Sequence, residues 1–261
     1  MTARQARATE SEGPRPQFGV IEQQRAHEYV AEQIRRQIGL GIIAPGEALP
    51  PERELARLFG VGRVTVQLAV GVLEADRLIE TRRGRGGGSF VLAPSKREGT
   101  LDYRVLEVAQ SADLIREAIE YRMVVEPAAA RIAARLRTES QLAEIRLAAQ
   151  RLGDATNDAE FMREDTAFHL AIARATGNRF VFAALEQTRL HLNALLALLP
   201  ESPAWHRLSV EEHDGVLAAL AEQDGDAAES LMREHVERTG RSMHSLLKSL
   251  APKASRRNGS F

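Results

Sequence analysis

Cysteine is absent from this sequence of 261 residues, which excludes disulfides, cysteine-based zinc ribbons and thiol catalysis. No run approaches the roughly 20 consecutive apolar residues that span a bilayer. The first residues, MTARQARATESEGPRPQ, lack the apolar core of a secretory signal. Hydrophobic residues make up 44% of the chain and charged residues 27%, which is typical of a globular protein with ample material for a core. We therefore expect a cytoplasmic protein with no membrane segment.

The formal net charge is only −1, but it is distributed unevenly. Residues 1–97 contain 15 Lys and Arg against 11 Asp and Glu, whereas residues 98–261 contain 20 against 25. A basic segment before an acidic one is a mild indication of a polyanionic partner. A solvated charged surface is the alternative.

The first third of the chain has the pattern of a winged helix-turn-helix. Apolar residues recur at helical spacing from Glu22 to Ile38, and two further helices are predicted over Glu52–Phe59 and Arg63–Asp76. Two short extended runs, 78–81 and 89–92, flank the glycine- and arginine-rich segment RRGRGGG, as in a β-hairpin. Helix, short helix, turn, helix and hairpin follow one another in the order that this fold requires.

The composition then suggests how the whole chain is divided. We expect a polar, disordered arm over residues 1–18, a winged helix-turn-helix DNA-binding domain over 19–93 and a linker over 94–100. Only helical patterns follow, which predicts an all-helical effector-binding domain over 101–249 and a flexible basic tail over 250–261. The predicted fold class is mainly α: a winged helix-turn-helix followed by an all-α helical bundle.

Cap residues predict several helix boundaries in the second half. Thr138, Ser209 and Asp226 are each followed at the third helical position by Gln or Glu, so each is a predicted helix start. Gly177 is a predicted stop. Pro127, inside a long helical pattern, predicts a kink or an interruption.

The third predicted helix would enter the major groove of DNA as a recognition helix. Its apolar stripe would face the core, so the opposite face would carry side chains that contact base edges. An arginine at the start of the preceding helix suits a phosphate or base contact, and the hairpin arginines would approach the backbone or the minor groove. Surface arginines that contact only water are the alternative. The predicted DNA-binding residues are Arg53, Arg63, Val64, Thr65, Gln67, Arg82, Arg83, Arg85 and Gly86.

Four ionisable residues lie on apolar faces of predicted helices in the second half. Asp165 and His169 are one turn apart on one face, and His213 and His235 lie on later helices. Buried ionisable groups are costly unless they are paired or bind a metal, and three imidazoles with one carboxylate suit a divalent transition metal such as Zn, Ni or Mn. Hydrogen-bonded core histidines are the alternative. The remaining histidines are not grouped with other ionisable residues on apolar helix faces and are expected to be structural or exposed: His27, His191, His206 and His244.

The stretch PGEALPPERELARLFGVGRVTVQLAVGVLEADRLIETRRGRGGGSFV resembles the DNA-binding domain of the GntR family of bacterial regulators. The resemblance rests on PGxxLPxERELA, on VxRxTV at the start of the recognition helix, and on the ending GRG…FV. The sequence departs from the family at four positions and in a wing lengthened by glycines. Gly62 replaces the usual serine, Gln67 a common DNA-contacting arginine, Leu68 the usual glutamate and Asp76 the usual glycine. We therefore expect a different operator sequence.

Three later segments resemble the FCD effector domain of the FadR-type branch of that family: LIREAIEYRMVVEPAAARIAA, DTAFHLAIARATGN and EEHDGVLAALAEQDGDAAESLMREHV. The resemblance implies that Asp165, His169, His213 and His235 are metal ligands, and that a small organic acid binds near the metal. It also implies that Arg122 lies near the pocket, where a guanidinium could hold a carboxylate. A pair with Glu126 or a surface position is the alternative for this arginine.

Together these features predict a homodimer that binds double-stranded operator DNA and responds to an organic-acid effector. The resemblance favours repression that the ligand relieves. One alternative is a metalloenzyme with an accessory DNA-binding module, in which the metal activates water, although Glu164 and Glu212 are expected to point away from the site. Another is a constitutive architectural DNA-binding protein with a purely structural metal.

Overall fold

The computed structural model describes residues 26–92, 112–196 and 203–250. The predicted arm and linker lie outside them, as do the predicted tail beyond Leu250 and residues 22–25 of the first predicted helix. The described part contains a small two-stranded sheet and is otherwise helical, which confirms the predicted fold class. Its elements are α1 (Ala26–Gly39), α2 (Glu52–Phe59), α3 (Arg63–Ala75), β1 (Ile79–Arg82), β2 (Gly88–Val91), α4 (Ala112–Leu136), α5 (Glu139–Gly153), α6 (Asp158–Ala175), α7 (Arg179–Leu196), α8 (Pro203–Ala221) and α9 (Gly225–Leu250).

Helices α1 to α3 and the hairpin form a winged helix-turn-helix. Gly60 ends α2 in the left-handed conformation (φ 65°), and α3 then leaves at 110° to α2. The two strands are antiparallel, with Ile79 opposite Val91. The bounds of each strand differ by one residue from those of its predicted run. The core of this part consists of apolar side chains from all three helices and both strands: Val30, Ala31, Ile34, Ile38, Leu49, Leu55, Val66, Ala69, Val70, Leu73, Ile79 and Val91.

The wing tip depends on glycine for steric reasons. Gly84 and Gly86 have positive φ angles of 98° and 83°, a region that favours glycine. A Cβ atom on Gly87 would lie 2.4 Å from the carbonyl oxygen of Arg82. The extra glycines therefore form a turn in which the main chain approaches itself closely.

Helices α4 to α9 form a bundle whose centre is rich in alanine. Ala130, Ala133 and Ala134 of α4 are completely buried, and such small side chains allow neighbouring helices to approach closely. Pro127 does not interrupt α4, which runs from Ala112 to Leu136. The missing N–H costs the helix one hydrogen bond, but alanines buried just beyond Pro127 hold this part of α4 in the core.

The predicted helix starts have mixed outcomes. Thr138 forms the predicted capping box with Gln141, and Gly177 (φ 67°) follows the end of α6 as predicted. The prediction for Ser209 is wrong, because this residue lies inside α8. The prediction for Asp226 is also wrong: α9 begins one residue earlier, and its first N–H groups donate to the side chain of Asp224.

The winged part contacts the bundle through the end of α1. Arg36 of α1 donates to Glu186 of α7 at 3.0 Å, and Asn193 of α7 donates to the carbonyl oxygen of Gly39 at 3.3 Å. Leu40 is completely buried just beyond α1. The end of α1 is therefore fixed against α7.

No single helix among the described residues has the length and apolar character to cross a membrane, although α2 and α3, taken together as a bent pair, pass that test by length and composition.

Candidate metal centre and nucleic-acid interface

The four predicted ligand residues meet inside the bundle. Asp165 and His169 come from α6, His213 from α8 and His235 from α9, and one ligand atom from each lies within 4.8 Å of the others. His213 Nε2 is 3.2 Å from His169 Nε2 and 3.3 Å from Asp165 Oδ1. Ligands bound at about 2.0–2.2 Å to one divalent ion are separated by about 3–3.5 Å, so these spacings suit such an ion.

Each histidine directs the same ring nitrogen towards the others. The opposite nitrogen, Nδ1, lies 2.5 Å from the Ser209 carbonyl oxygen in His213, 2.8 Å from Glu212 Oε2 in His235 and 2.7 Å from Glu126 Oε2 in His169. Acceptors beside Nδ1 favour a proton there, so the lone pair that a metal would bind is the one on Nε2. Ser209, which does not begin a helix, thus orients a candidate ligand through its main chain.

The protonation states also suit a cation. Burial lowers the pKa of His169 well below its usual value, and it lowers the pKa of His235 to about 4. Burial alone would raise the pKa of Asp165, but Arg189 and the neighbouring imidazoles hold it well below the usual value. Neutral imidazoles and an ionised carboxylate are the forms that coordinate metals. The donor set therefore fits a divalent transition metal.

Arg122 lies at this cluster and is also paired. Its Nε donates to Glu126 Oε1 at 2.6 Å, while Nη2 is 3.2 Å from His235 Nε2 and 3.4 Å from His169 Nε2. The predicted pair with Glu126 is therefore present and the surface position is wrong, whereas a role of Arg122 in effector binding stays a prediction. Its side chain is only 2% exposed.

A second buried arginine was missed by the sequence analysis. Arg189 of α7 is 1% exposed, and its Nη1 donates to Asp165 Oδ2 at 2.6 Å. Its Nε and Nη2 are buried, with no acceptor among the described residues. The signal was present, because Arg189 lies at helical spacing from the apolar Leu185 and Leu192. The pattern is the same as the one that identified the histidines.

The expectation for Glu212 was wrong, and the one for Glu164 was correct. Glu212 accepts from His235 Nδ1 and pairs with Arg238. Burial would raise the pKa of Glu212, but hydrogen bonds from His235 and Arg238 lower it to about 2. Glu164 instead pairs with Arg163. Glu212 was misjudged because residues adjacent to a ligand in sequence can still contact a ligand on another helix.

Two of the other histidines have structural partners, as expected. His206 stacks on Phe161 at 3.9 Å, and His244 Nδ1 lies 2.8 Å from the carbonyl oxygen of Gly240. Among the described residues, neither these two nor His27 and His191 belong to the candidate metal cluster.

The recognition helix presents most of the predicted residues to its outer face. Its inner face is buried through Val66, Ala69, Val70 and Leu73, while Arg63, Val64 and Gln67 are exposed and Thr65 is half-buried. Gln67 Nε2 donates to Glu52 Oε2 at 3.0 Å, and Arg63 lies 3.8 Å from the same oxygen. Sequence reasoning missed this role of Glu52.

The other predicted DNA-binding residues belong to α2 and the wing. Arg53 is exposed at the start of α2, and Arg83, Arg85 and Gly86 are exposed at the wing tip. Arg82 is different, because it pairs with a glutamate of its own strand and lies 4.5 Å from the centre of a neighbouring aromatic ring. The exposed arginines thus occupy α2, α3 and the wing.

Comparisons with known proteins agree with this architecture. Residues 26–88 match the model of bacterial regulatory proteins of the gntR family, and residues 117–238 match the FCD domain. The chain is 34% identical to the galactonate operon transcriptional repressor of Escherichia coli K12, over 75% of this chain and 87% of the relative. It is 31% identical to the Uxu operon transcriptional regulator of the same strain, over 82% and 85%.

A solved structure has the same fold. The E. coli protein McbR/YncC superposes with a TM-score of 0.52 over 85% of this chain and 98% of its own, at 20% sequence identity. At this identity the likeness concerns the fold alone.

Proposed function

Because the chain belongs to the GntR family of bacterial regulatory proteins and carries an FCD domain, we propose that it is a ligand-responsive transcription repressor. Its winged helix-turn-helix binds double-stranded operator DNA, and its helical domain binds a divalent metal and a small organic acid. The observation that carries the proposal is the buried cluster of Asp165, His169, His213 and His235, which a protein that only bound DNA would not need. Such a regulator acts in the cytoplasm, where bacterial DNA lies.

The metal would be held by one carboxylate and three imidazoles, and Zn, Ni or Mn suits this set. When bound, it offers a Lewis-acidic position to a carboxylate oxygen of the effector. The protein's own contribution is orientation: Glu126, Glu212 and the Ser209 carbonyl oxygen fix the three imidazoles. Such supporting contacts tune both affinity and geometry.

The charge of the cluster favours an anionic effector. Without an ion, Arg122 and Arg189 balance Glu126 and Asp165, and the lowered pKa values of His169 and His235 keep these two imidazoles neutral. A divalent ion would leave the buried cluster positively charged, and buried charge is costly unless it is compensated. The carboxylate of an organic acid compensates part of it. Arg122, which contacts two of the imidazoles, is the side chain that we propose for the effector itself.

A short chain of contacts connects this cluster to the DNA-binding part. Arg189 holds the candidate ligand Asp165, and Asn193, one turn further along α7, holds the carbonyl oxygen of Gly39 in α1. Arg36 of α1 also donates to Glu186 on α7. We propose that effector binding changes operator affinity through α7, because an effector alters DNA binding only if it favours one of two arrangements.

Exposed apolar side chains of α4 and α7 support a homodimer. Val124 of α4 is 73% exposed and Phe180 of α7 is 71% exposed, and Leu114 and Tyr121 of α4 are also exposed. Large exposed apolar patches commonly mark protein interfaces. We propose that a second copy of the chain covers these side chains and so places two winged domains on a two-fold operator.

The contacts of Glu212 favour a sensor over a metalloenzyme. Among the described residues, Glu212 is the carboxylate that accepts from Nδ1 of His235, and Arg238 also donates to it. A general base must reach the proton that it removes, whereas the carboxylate of Glu212 is engaged by His235 Nδ1 and by Arg238.

The proposal is tested by thermal unfolding of the metal-loaded protein with a panel of sugar acids, hydroxy acids, dicarboxylates and fatty acids. Galactonate comes first, because one relative is named for a galactonate operon. An acid at 100 times its dissociation constant should stabilise the protein by about 2.7 kcal/mol, and a chelator should abolish the effect. Stabilisation that survives the chelator would contradict the metal-anchored site. Turnover of the acid would favour the metalloenzyme, and a metal without any acid response would favour the architectural protein.

A further inference from the structure

Two large apolar side chains lie on the outer face of the recognition helix. Val64 is 68% exposed and Leu68 is 53% exposed. They are one turn apart, so they form a stripe along the side of α3 that is opposite its buried face. Gly71, the next position of this stripe, is also exposed and has no side chain. The stripe runs along α3, and the exposed polar residues Arg63 and Gln67 lie next to it in the sequence.

The apolar stripe lies within the surface proposed to enter the major groove. Arg63 and Gln67 precede Val64 and Leu68 by one residue each, and further exposed arginines belong to α2 and the wing of the same winged helix-turn-helix. A helix with this flanking charge is drawn to DNA. The stripe would therefore contact the edges of the base pairs in the major groove. The apolar group that an unmodified base pair presents there is the 5-methyl of thymine.

Gln67, beside the stripe, has a partner on α2. Its side-chain nitrogen donates to Glu52 Oε2 at 3.0 Å. An amide nitrogen has two N–H groups, so the second N–H and the amide oxygen are still available for adenine. The side chains of Val64 and Leu68 form no hydrogen bonds, so their contribution to base recognition is apolar contact.

We propose that Val64 and Leu68 recognise thymine 5-methyl groups in each operator half-site, and that Leu68 is a specificity-determining residue. The inference rests on the proposed DNA-binding function. Residues one turn apart are about 6 Å apart along a helix, and bases of one strand are about 3.4 Å apart. The two side chains therefore contact thymines that are one or two base-pair steps apart. Leucine, where the family resemblance leads one to expect glutamate, replaces a charged contact by an apolar one.

The experiment removes the methyl groups and nothing else. The full chain first selects its binding sites from a pool of duplex DNA with randomised sequence, and each thymine of the selected site is then replaced by deoxyuridine. Deoxyuridine keeps every hydrogen-bonding group and lacks the 5-methyl. At two positions per half-site the dissociation constant should rise about fourfold, the effect expected for losing the burial of one methyl group.

Variants of the protein assign each methyl group to a side chain. Leu68→Ala should weaken binding to the thymine site and abolish the uridine effect at one position, and Val64→Ala should do so at the other. Leu58→Ala is the matched control, because Leu58 is an exposed leucine (58%) on α2 and its removal should leave both uridine effects intact.

The outcomes separate this inference from the proposed function. If no sequence is selected from the pool, the DNA-binding function itself is contradicted. If a site is selected but uridine has no effect at any position, or if the effect persists in Leu68→Ala and Val64→Ala alike, recognition of the methyl groups is overturned while the regulator function stands.

Discussion

Arginine occurs in two opposite environments in this protein. On the outer face of α3, Arg63 is 65% exposed and its partner Glu52 lies 3.8 Å away. Inside the bundle, Arg122 and Arg189 are 2% and 1% exposed, and each donates to a carboxylate at 2.6 Å. Water solvates the first kind, whereas burial forces the second kind to be paired. The exposed arginine can therefore replace its contacts with water by contacts with DNA, whereas the buried arginines hold carboxylates at the candidate metal site.

The largest expected effect follows from breaking a buried pair. Arg189→Ala leaves Asp165 buried without its partner, which should lower the free energy of unfolding by about 3–5 kcal/mol. Arg233→Ala is the control, because it removes a half-exposed pair with Glu229 and should cost less than about 1 kcal/mol. Urea denaturation of the metal-free proteins measures both. Equal small losses would show that burial does not separate the two kinds of arginine.

The next effect concerns metal binding. His213→Ala removes one of four candidate ligands, so zinc should no longer raise the melting temperature. His206→Ala changes another histidine of α8, which stacks on Phe161 outside the cluster, and the zinc response should survive. Full stabilisation of His213→Ala by zinc would remove His213 from the site.

Helix positions and helical faces could be predicted from the sequence, whereas contacts between helices could not. Asp165 and His169 share a face because they are one turn apart, and the same spacing suggested the pair Arg122–Glu126. Arg189 could have been placed on an apolar face by its spacing, but its pairing with Asp165 on α6 could not be predicted. Glu212 was misjudged because its partner His235 lies on another helix, at a distance that depends on packing. Pro127 shows the same limit for an interruption, since α4 continues through it from Ala112 to Leu136.

A smaller effect is expected at the contact between the two regions. Asn193→Ala removes the hydrogen bonds to Gly39 and Thr166, and should reduce the change in operator affinity that metal and effector produce by severalfold, within the usual coupling of about 1–3 kcal/mol. Metal binding and operator affinity in the absence of effector should persist. Arg174→Ala, an exposed position near the end of α6, is the control. An unchanged effector response in Asn193→Ala would show that α7 does not carry the coupling.

The exposed arginine should affect binding without affecting stability. Arg63→Ala should cost about 1–3 kcal/mol of specific DNA binding and change the free energy of unfolding by no more than about 0.5 kcal/mol. Fluorescence anisotropy with the selected site and with a shuffled duplex measures the first quantity. The same loss on both duplexes would mean that Arg63 contacts phosphates rather than bases.

The most direct test of the whole account is the operator affinity of the metal-loaded protein, measured by anisotropy with and without the acid that stabilises it. We expect the acid to change this affinity at least severalfold and a chelator to abolish the change. His213→Ala should never show the change, whereas His206→Ala should. Operator affinity that is the same with and without a bound acid would contradict the claim that the buried cluster regulates the DNA-binding face.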